Sequence, residues 1–204
     1  MRHPIKHFVT ITKHRHQVIR NAYHMGIFFH SLKHDLSKYS PTEFGTSCKY
    51  YTGSSSPVYG ERLRKDYFSS ICQHHTRRNK HHWEYWTDFF MGRVLAKTLP
   101  YKYAVEYVCD VLAASKTYDE KNFTGETALK YFLLHSNHYY MTTATREFVE
   151  ACLREYSKNG WEHLGKSENK KLYLECIDGK ANVEIFDTLT IGDDLPKKII
   201  DCSK

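Results

Sequence analysis

At 204 residues the chain is long enough to bury one core and too short for two generous domains. Its six cysteines are scattered with no Cys-x-x-Cys pair, which argues against a zinc ribbon or a disulfide framework, and no apolar run reaches the length of a bilayer span. A formal charge of +7 favours anionic partners, but Lys and Arg are spread along the chain, so a small phosphorylated molecule is expected and a nucleic-acid polymer is not.

The start, "MRHPIKHFVTITKHRH", is charged and lacks a signal-peptide core, so the expectation is a soluble, cytoplasmic protein that does not engage a membrane. Residues 5–32 read as one helix, with Ile5, Phe8, Ile11, Val18, Ala22 and Met25 at helical spacing and Gly26 loosening the pattern. His14 lies within it. In "HDLSKYSPTEF", Ser40 is an N-cap, Pro41 takes the first turn, and Glu43 is placed to reach back as a capping box. The stretch "YYTGSSSPVYG" is the clearest loop.

Residues 60–76 resume a helical pattern, in which Phe68, Ile71, Cys72 and His75 share a face and His74 lies round the side. The tract "HHTRRNKHHWEYW" follows on, with two histidine pairs, His74/His75 and His81/His82. Between them Arg77, Arg78 and Lys80 form a basic turn, solvated or facing an anionic substrate. Trp83, Tyr85 and Trp86 read as packing residues rather than as a base-stacking platform. Residues 101–118 form an apolar helix that should run through the middle of the domain. Inside it Asp110 needs a cation or several donors, since a buried carboxylate left alone costs several kcal/mol. Residues 126–160 give a helix or helical pair closed by Gly160, and the tail from 166 to 204 suggests a hairpin or irregular arm packed on the domain of residues 1–165.

In chain order, the polar residues in or beside apolar helices are His14, His34 with Asp35, His74 or His75, His81 or His82, and Asp110. Imidazoles and carboxylates together suit first-row divalent metals, and a His-Asp pair at a helix end offers a carboxylate able to bridge two ions. His7, His16, His24, His30, His135, His138 and His163 read as surface or hydrogen-bonded core histidines.

The order H, HD, H, H, D on a helical scaffold resembles the HD-domain superfamily of metal-dependent phosphohydrolases. The segments "TKHRHQV", "HDLSKYSPTEF", "HHTRRNKHHWEYW" and "CDVLAASKTY" together resemble an uncharacterised bacterial and phage family within or near it, over roughly residues 5–160. The resemblance implies an all-α, HD-like bundle whose metal ligands are His14, His34, Asp35, one residue of each histidine pair, and Asp110. It implies two divalent ions (manganese, iron, cobalt, nickel or zinc), with Lys38 matching a lysine that contacts substrate phosphate. Asp35 and Lys38 are thus the catalytic candidates, and Lys38, Arg77, Arg78 and Lys80 the substrate-binding ones. The chain has no Gly-Tyr-Pro segment after the histidines, so the cyclic-di-GMP branch is not indicated. The implied activity is hydrolysis of a nucleotide or other small phosphoester by metal-activated water. A di-iron oxygenase on the same ligand set is one alternative; a non-catalytic protein that binds or sequesters nucleotides, for which an incomplete or empty metal site would speak, is another.

Overall fold

The computed structural model of the protein describes residues 3–187. Residues 188–204, with Cys202 and the end of the expected arm, lie outside the described residues. The first helix, α1 (Pro4–His24), starts with a proline in its first turn and buries His7, Ile11, His14, Val18, Asn21 and Ala22 on one stripe. Ile5 and Phe8 do not join that stripe: Ile5 is six residues before Ile11, about 240° round the helix at 100° per residue, and is exposed.

The helix expected over 5–32 ends early. Gly26 adopts a left-handed φ of 73°, and a Cβ there would overlap the Cβ of Lys166, so glycine is required both for the turn and for the close approach. A one-turn helix, α2 (Phe28–Ser31), follows, then a 3-10 turn over Leu36–Tyr39 that begins after Asp35. In α3 (Pro41–Tyr50) Ser40 caps as expected, its Oγ accepting from the Glu43 N–H at 3.3 Å. The Glu43 side chain does not close the box; it turns inward to Ser37 and His75.

Residues 60–76 are not one helix. They divide into α4 (Pro57–Arg62) and α5 (Ser70–Thr76), with Asp66 and Tyr67 at positive φ between them, and Phe68 is exposed instead of sharing the His75 face. The buried carboxylate of Glu61 ties the two together, accepting from the Ser69 and Ser70 hydroxyls and the Ile71 N–H at 2.7 to 3.0 Å.

Sheet structure departs from a purely helical expectation. After a 3-10 turn over Trp83–Trp86, β1 (Thr87–Phe90) and β2 (Arg93–Lys97) pair antiparallel across Met91 and Gly92, both at positive φ as a two-residue hairpin turn requires. Val94 and Ala96 alternate inward, which fixes the register.

Next comes α6 (Tyr101–Tyr118), which buries Ala104, Val105, Val108, Cys109, Leu112 and Ala113 and packs against α1 as the central helix. Each fully buried Val or Leu there stabilises the fold by about 1.5–3 kcal/mol. The helical pair α7 (Gly125–Ser136) and α8 (Thr143–Asn159) covers its other side with Phe132, Phe148, Val149 and Leu153, and α8 ends at Gly160 at positive φ.

Among the described residues of the tail a helix stands where a hairpin or irregular arm was expected: α9 (Lys166–Ile177) packs on α8, and Gly179 at positive φ ends it. Buried Asn169 donates to the carbonyls of Met25 and Leu164, pinning α9 to the end of α1. The chain then adds β3 (Val183–Asp187) antiparallel to β2. The described residues are thus mostly helical, with one small three-stranded sheet among them. No helix among the described residues is long and apolar enough to cross a membrane.

Candidate metal centre

Packing of α1 on α6 brings His14 opposite Asp110, with Nε2 at 2.9 Å from Oδ1 but not aligned for a hydrogen bond. Between α2 and α3 the backbone turns left-handed at Asp35 (φ 53°), a conformation an aspartate tolerates and most residues resist. That reversal lets the neighbours His34 and Asp35 both point inward. Arg15 holds the turn from outside, donating to the carbonyls of Leu32 and His34. From α5 comes His75, and from the loop after it His81 and His82.

Asp35, 2 % exposed, is the centre of the arrangement. Its Oδ2 faces His34 Nε2 at 3.2 Å and His14 Nε2 at 3.7 Å. Its Oδ1 faces His75 Nε2 at 3.2 Å and His81 Nε2 at 3.5 Å. Two groups with ligand-capable atoms all close together result: His14, His34, Asp35 and Asp110 in one, and Asp35, His75, His81 and His82 in the other. Asp35 belongs to both.

The Nε2 atoms of His14, His34, His81 and His82 and Oδ1 of Asp35 are buried without hydrogen-bond partners. Buried polar atoms are normally paired, so a cluster of converging orphans calls for a ligand. Ligand atoms about 2.0–2.2 Å from a divalent ion lie about 3–3.5 Å from one another, close to the 2.9–3.7 Å between the facing atoms here. The His/Asp groups are therefore positioned to hold a metal ion, and their donor chemistry fits a first-row transition metal.

Behind the inward-facing nitrogens stand two glutamates that the sequence reading did not assign to the site. Glu106, from α6, places Oε1 at 2.9 Å from His34 Nδ1 and 3.4 Å from His81 Nδ1, and Oε2 at 2.9 Å from His30 Nε2. Glu43 places Oε1 at 2.8 Å from His75 Nδ1. Such carboxylates fix the ring orientation and leave Nε2 as the metal-facing nitrogen. Glu106 also forms a close group with His34 and His81, but on their Nδ1 side, away from the Nε2 atoms that face Asp35.

Charge follows from burial and neighbours. Burial depresses the His82 and His14 imidazoles, and His81 beside the one and Lys38 beside the other push the same way. At His34 and His75 burial loses to Asp35, aided by Glu106 and Glu43, which hold the protonated rings up to about 10 and about 9. Burial likewise opposes the Asp35 and Asp110 carboxylates, yet the surrounding imidazoles, and Lys38 for Asp35, keep both well below the usual range.

Within the histidine pairs the placement is asymmetric. His75 points to the centre, whereas His74 Nε2 lies 3.9 Å from Glu43 and outside both groups. Both His81 and His82 join the second group. Lys38 lies at the edge, its Nζ 2.6 Å from Asp35 Oδ2 with the side chain 28 % exposed, and Asp110 and His82 are also partly open, so this side is the mouth. Arg77, Arg78 and Lys80 remain on the surface and are not brought into the cluster; Lys80 lies over the Tyr85 ring. Trp83 and Trp86 pack against the core, while His7 stacks on Phe44 and His24 on Trp161. A surface groove of about 540 Å³ between α3 and α4 contains none of the cluster.

Residues 3–155, which contain every member of both groups, match the profile of a family of unknown function (DUF5662). The chain belongs to this family. No curated protein and no solved structure matches it. The family's matched span covers α1 through most of α8 and stops short of α9 and β3.

Proposed function

We propose that this chain is an HD-type, metal-dependent phosphohydrolase with a binuclear site, acting on a nucleotide or another small phosphoester. The observation that carries the reading is the division of Asp35: one oxygen serves His14 and His34 with Asp110 beside them, and the other serves His75 and His81 with His82 beside them. When bound, a pair of divalent ions supplies Lewis acidity and a water acidic enough to ionise near neutral pH. His14, His34, Asp35 and Asp110 would hold one ion, and Asp35, His75, His81 and His82 the other. Glu106 and Glu43 orient the imidazoles, and the surrounding helices keep bulk water from the buried side. Lys38, at the mouth, is placed to bind a phosphoryl oxygen and stabilise charge that develops on it.

The resemblance of "HDLSK" and its companion segments to HD-domain proteins supports this reading, as does the net charge of +7 for an anionic substrate. The proposal includes an HD-like helical bundle and a cytoplasmic setting, which the buried thiols of Cys109, Cys152 and Cys176 suit. The test is to load the protein with manganese or iron and screen nucleoside mono-, di- and triphosphates, cyclic nucleotides and simple phosphoesters, following phosphate release and oxygen uptake in parallel. Metal-dependent hydrolysis that is lost in Asp35→Asn is the expected result. Iron-dependent oxygen consumption without hydrolysis would replace the reading with the di-iron oxygenase. Nucleotide binding without turnover would replace it with the sequestering protein.

A further inference from the structure

We propose that Glu106 is a positioning residue that couples the two ligand groups, so that metal held in one group orders the other. The inference rests on the binuclear reading above and adds a physical link between its halves. A single oxygen, Glu106 Oε1, lies 2.9 Å from Nδ1 of His34, in the first group, and 3.4 Å from Nδ1 of His81, in the second. The rings of His34 and His81 are themselves in contact, 4.4 Å between centroids and tilted by 35°. Moving either ring therefore displaces the acceptor and the packing partner of the other.

The carboxylate has little freedom to absorb such a movement. Glu106 is 5 % exposed and lies on the central helix α6, one turn before Asp110, so its backbone is fixed by the same packing that fixes a ligand. Its second oxygen is anchored 2.9 Å from His30 Nε2, which prevents the group from swinging to favour one imidazole. Glu43 provides the contrast. It contacts His75 Nδ1, Ser37 and, at 3.9 Å, His74, and none of these belongs to the first group. One carboxylate thus supports ligands of both ions and the other a ligand of one.

This difference sets a test in which Glu43 is the internal control. Cobalt(II) is titrated into full-length wild type, Glu106→Gln and Glu43→Gln, following heat by calorimetry and ligation by the visible d–d bands. Thermal melts of the metal-free proteins establish that each variant folds, and Glu106→Leu supplies a variant with no acceptor. Loss of a supporting carboxylate typically weakens metal binding about 10–100-fold. The expected result is that Glu106→Gln and Glu106→Leu weaken both equivalents and change the bands of both, whereas Glu43→Gln weakens one. A smaller loss in Glu106→Gln than in Glu106→Leu, with both equivalents still weaker than in wild type, would further support a hydrogen-bond role, because glutamine keeps one acceptor. If wild type takes up two equivalents and Glu106→Gln weakens only one or neither, the coupling is refuted while the binuclear site stands. If folded wild type takes up fewer than two, the binuclear reading and the coupling fail together.

Discussion

Replacing Lys38 with methionine separates the chemistry of this site from its assembly. The ammonium lies 2.6 Å from Asp35 Oδ2, an oxygen that the first ligand group also needs. At that distance the gross attraction is about 6 kcal/mol with an effective dielectric of about 20, and desolvation of both groups removes most of it. What remains is of the order of a hydrogen bond to a charged group, about 1.5–3 kcal/mol. Because Lys38 and an incoming cation compete for the same oxygen, Lys38→Met is expected to leave metal affinity unchanged or to tighten it. Turnover should respond oppositely, since removing a group that stabilises developing charge costs about 10²–10³-fold in kcat, or about 2.7–4 kcal/mol. The assay pairs calorimetric metal titration with steady-state kinetics at saturating metal, on the substrate that the phosphoester screen returns. A variant that loses its metal, with activity falling in proportion, would show that Lys38 is a structural prop and refute the reasoning; so would an unchanged kcat.

Two further predictions concern the scaffold. Gly26→Ala places a side chain at φ 73° and against Lys166, combining about 1 kcal/mol of backbone strain with an overlap that α9 must shift to relieve. A thermal melt should fall by several degrees, at about 2–4 °C per kcal/mol for a chain of this size, and an unchanged melt would mean that α9 does not press on this turn. Glu61→Gln should destabilise the protein by about 1–3 kcal/mol at neutral pH, because the buried carboxylate accepts from Ser69, Ser70 and the Ile71 N–H. Burial opposes the Glu61 charge, but those three donors hold its pKa below the usual value. Its contribution is therefore present above the unfolded glutamate pKa and is lost as pH falls through the lower folded one. Denaturant curves of wild type and Glu61→Gln should converge in acid; a constant gap down to low pH would contradict the assignment.

Much of the candidate site was legible in the sequence because its members break an apolar pattern. His14 replaces a core residue on the α1 stripe, and Asp110 sits in the middle of the largely buried central helix. His75 was distinguishable from His74 because adjacent residues on a helix point about 100° apart, and Ile71 and Cys72 already marked the inward side. No period runs through the loop that carries His81 and His82, so nothing local separated them. Glu106 went unassigned although it sits four residues before Asp110 in the run "AVEYVCD", where a charged residue has no solvent face to occupy. Glu43 was hidden by a capping role that its backbone fulfils and its side chain does not.

The strands were missed for a different reason. "TDFFMGRVLAK" carries a glycine-containing turn between two short runs, but runs of four and five residues are too short for period alone to separate strand from loop. The third strand that pairs with β2, β3, lies far along the chain. In the tail, the Asp-Gly of "IDGK" favours positive φ and so suits a hairpin turn, but a helix end such as that of α9 calls for the same conformation.

The most direct test of the central claim is metal content by mass spectrometry, on protein purified without a histidine tag and reconstituted with manganese or iron, for wild type beside Asp35→Ala. The shared carboxylate predicts about two equivalents in wild type and loss from both groups in the variant, with the fold retained by circular dichroism. No stoichiometric metal in reconstituted, folded wild type would contradict the account and leave the converging imidazoles without the ligand they are arranged to hold.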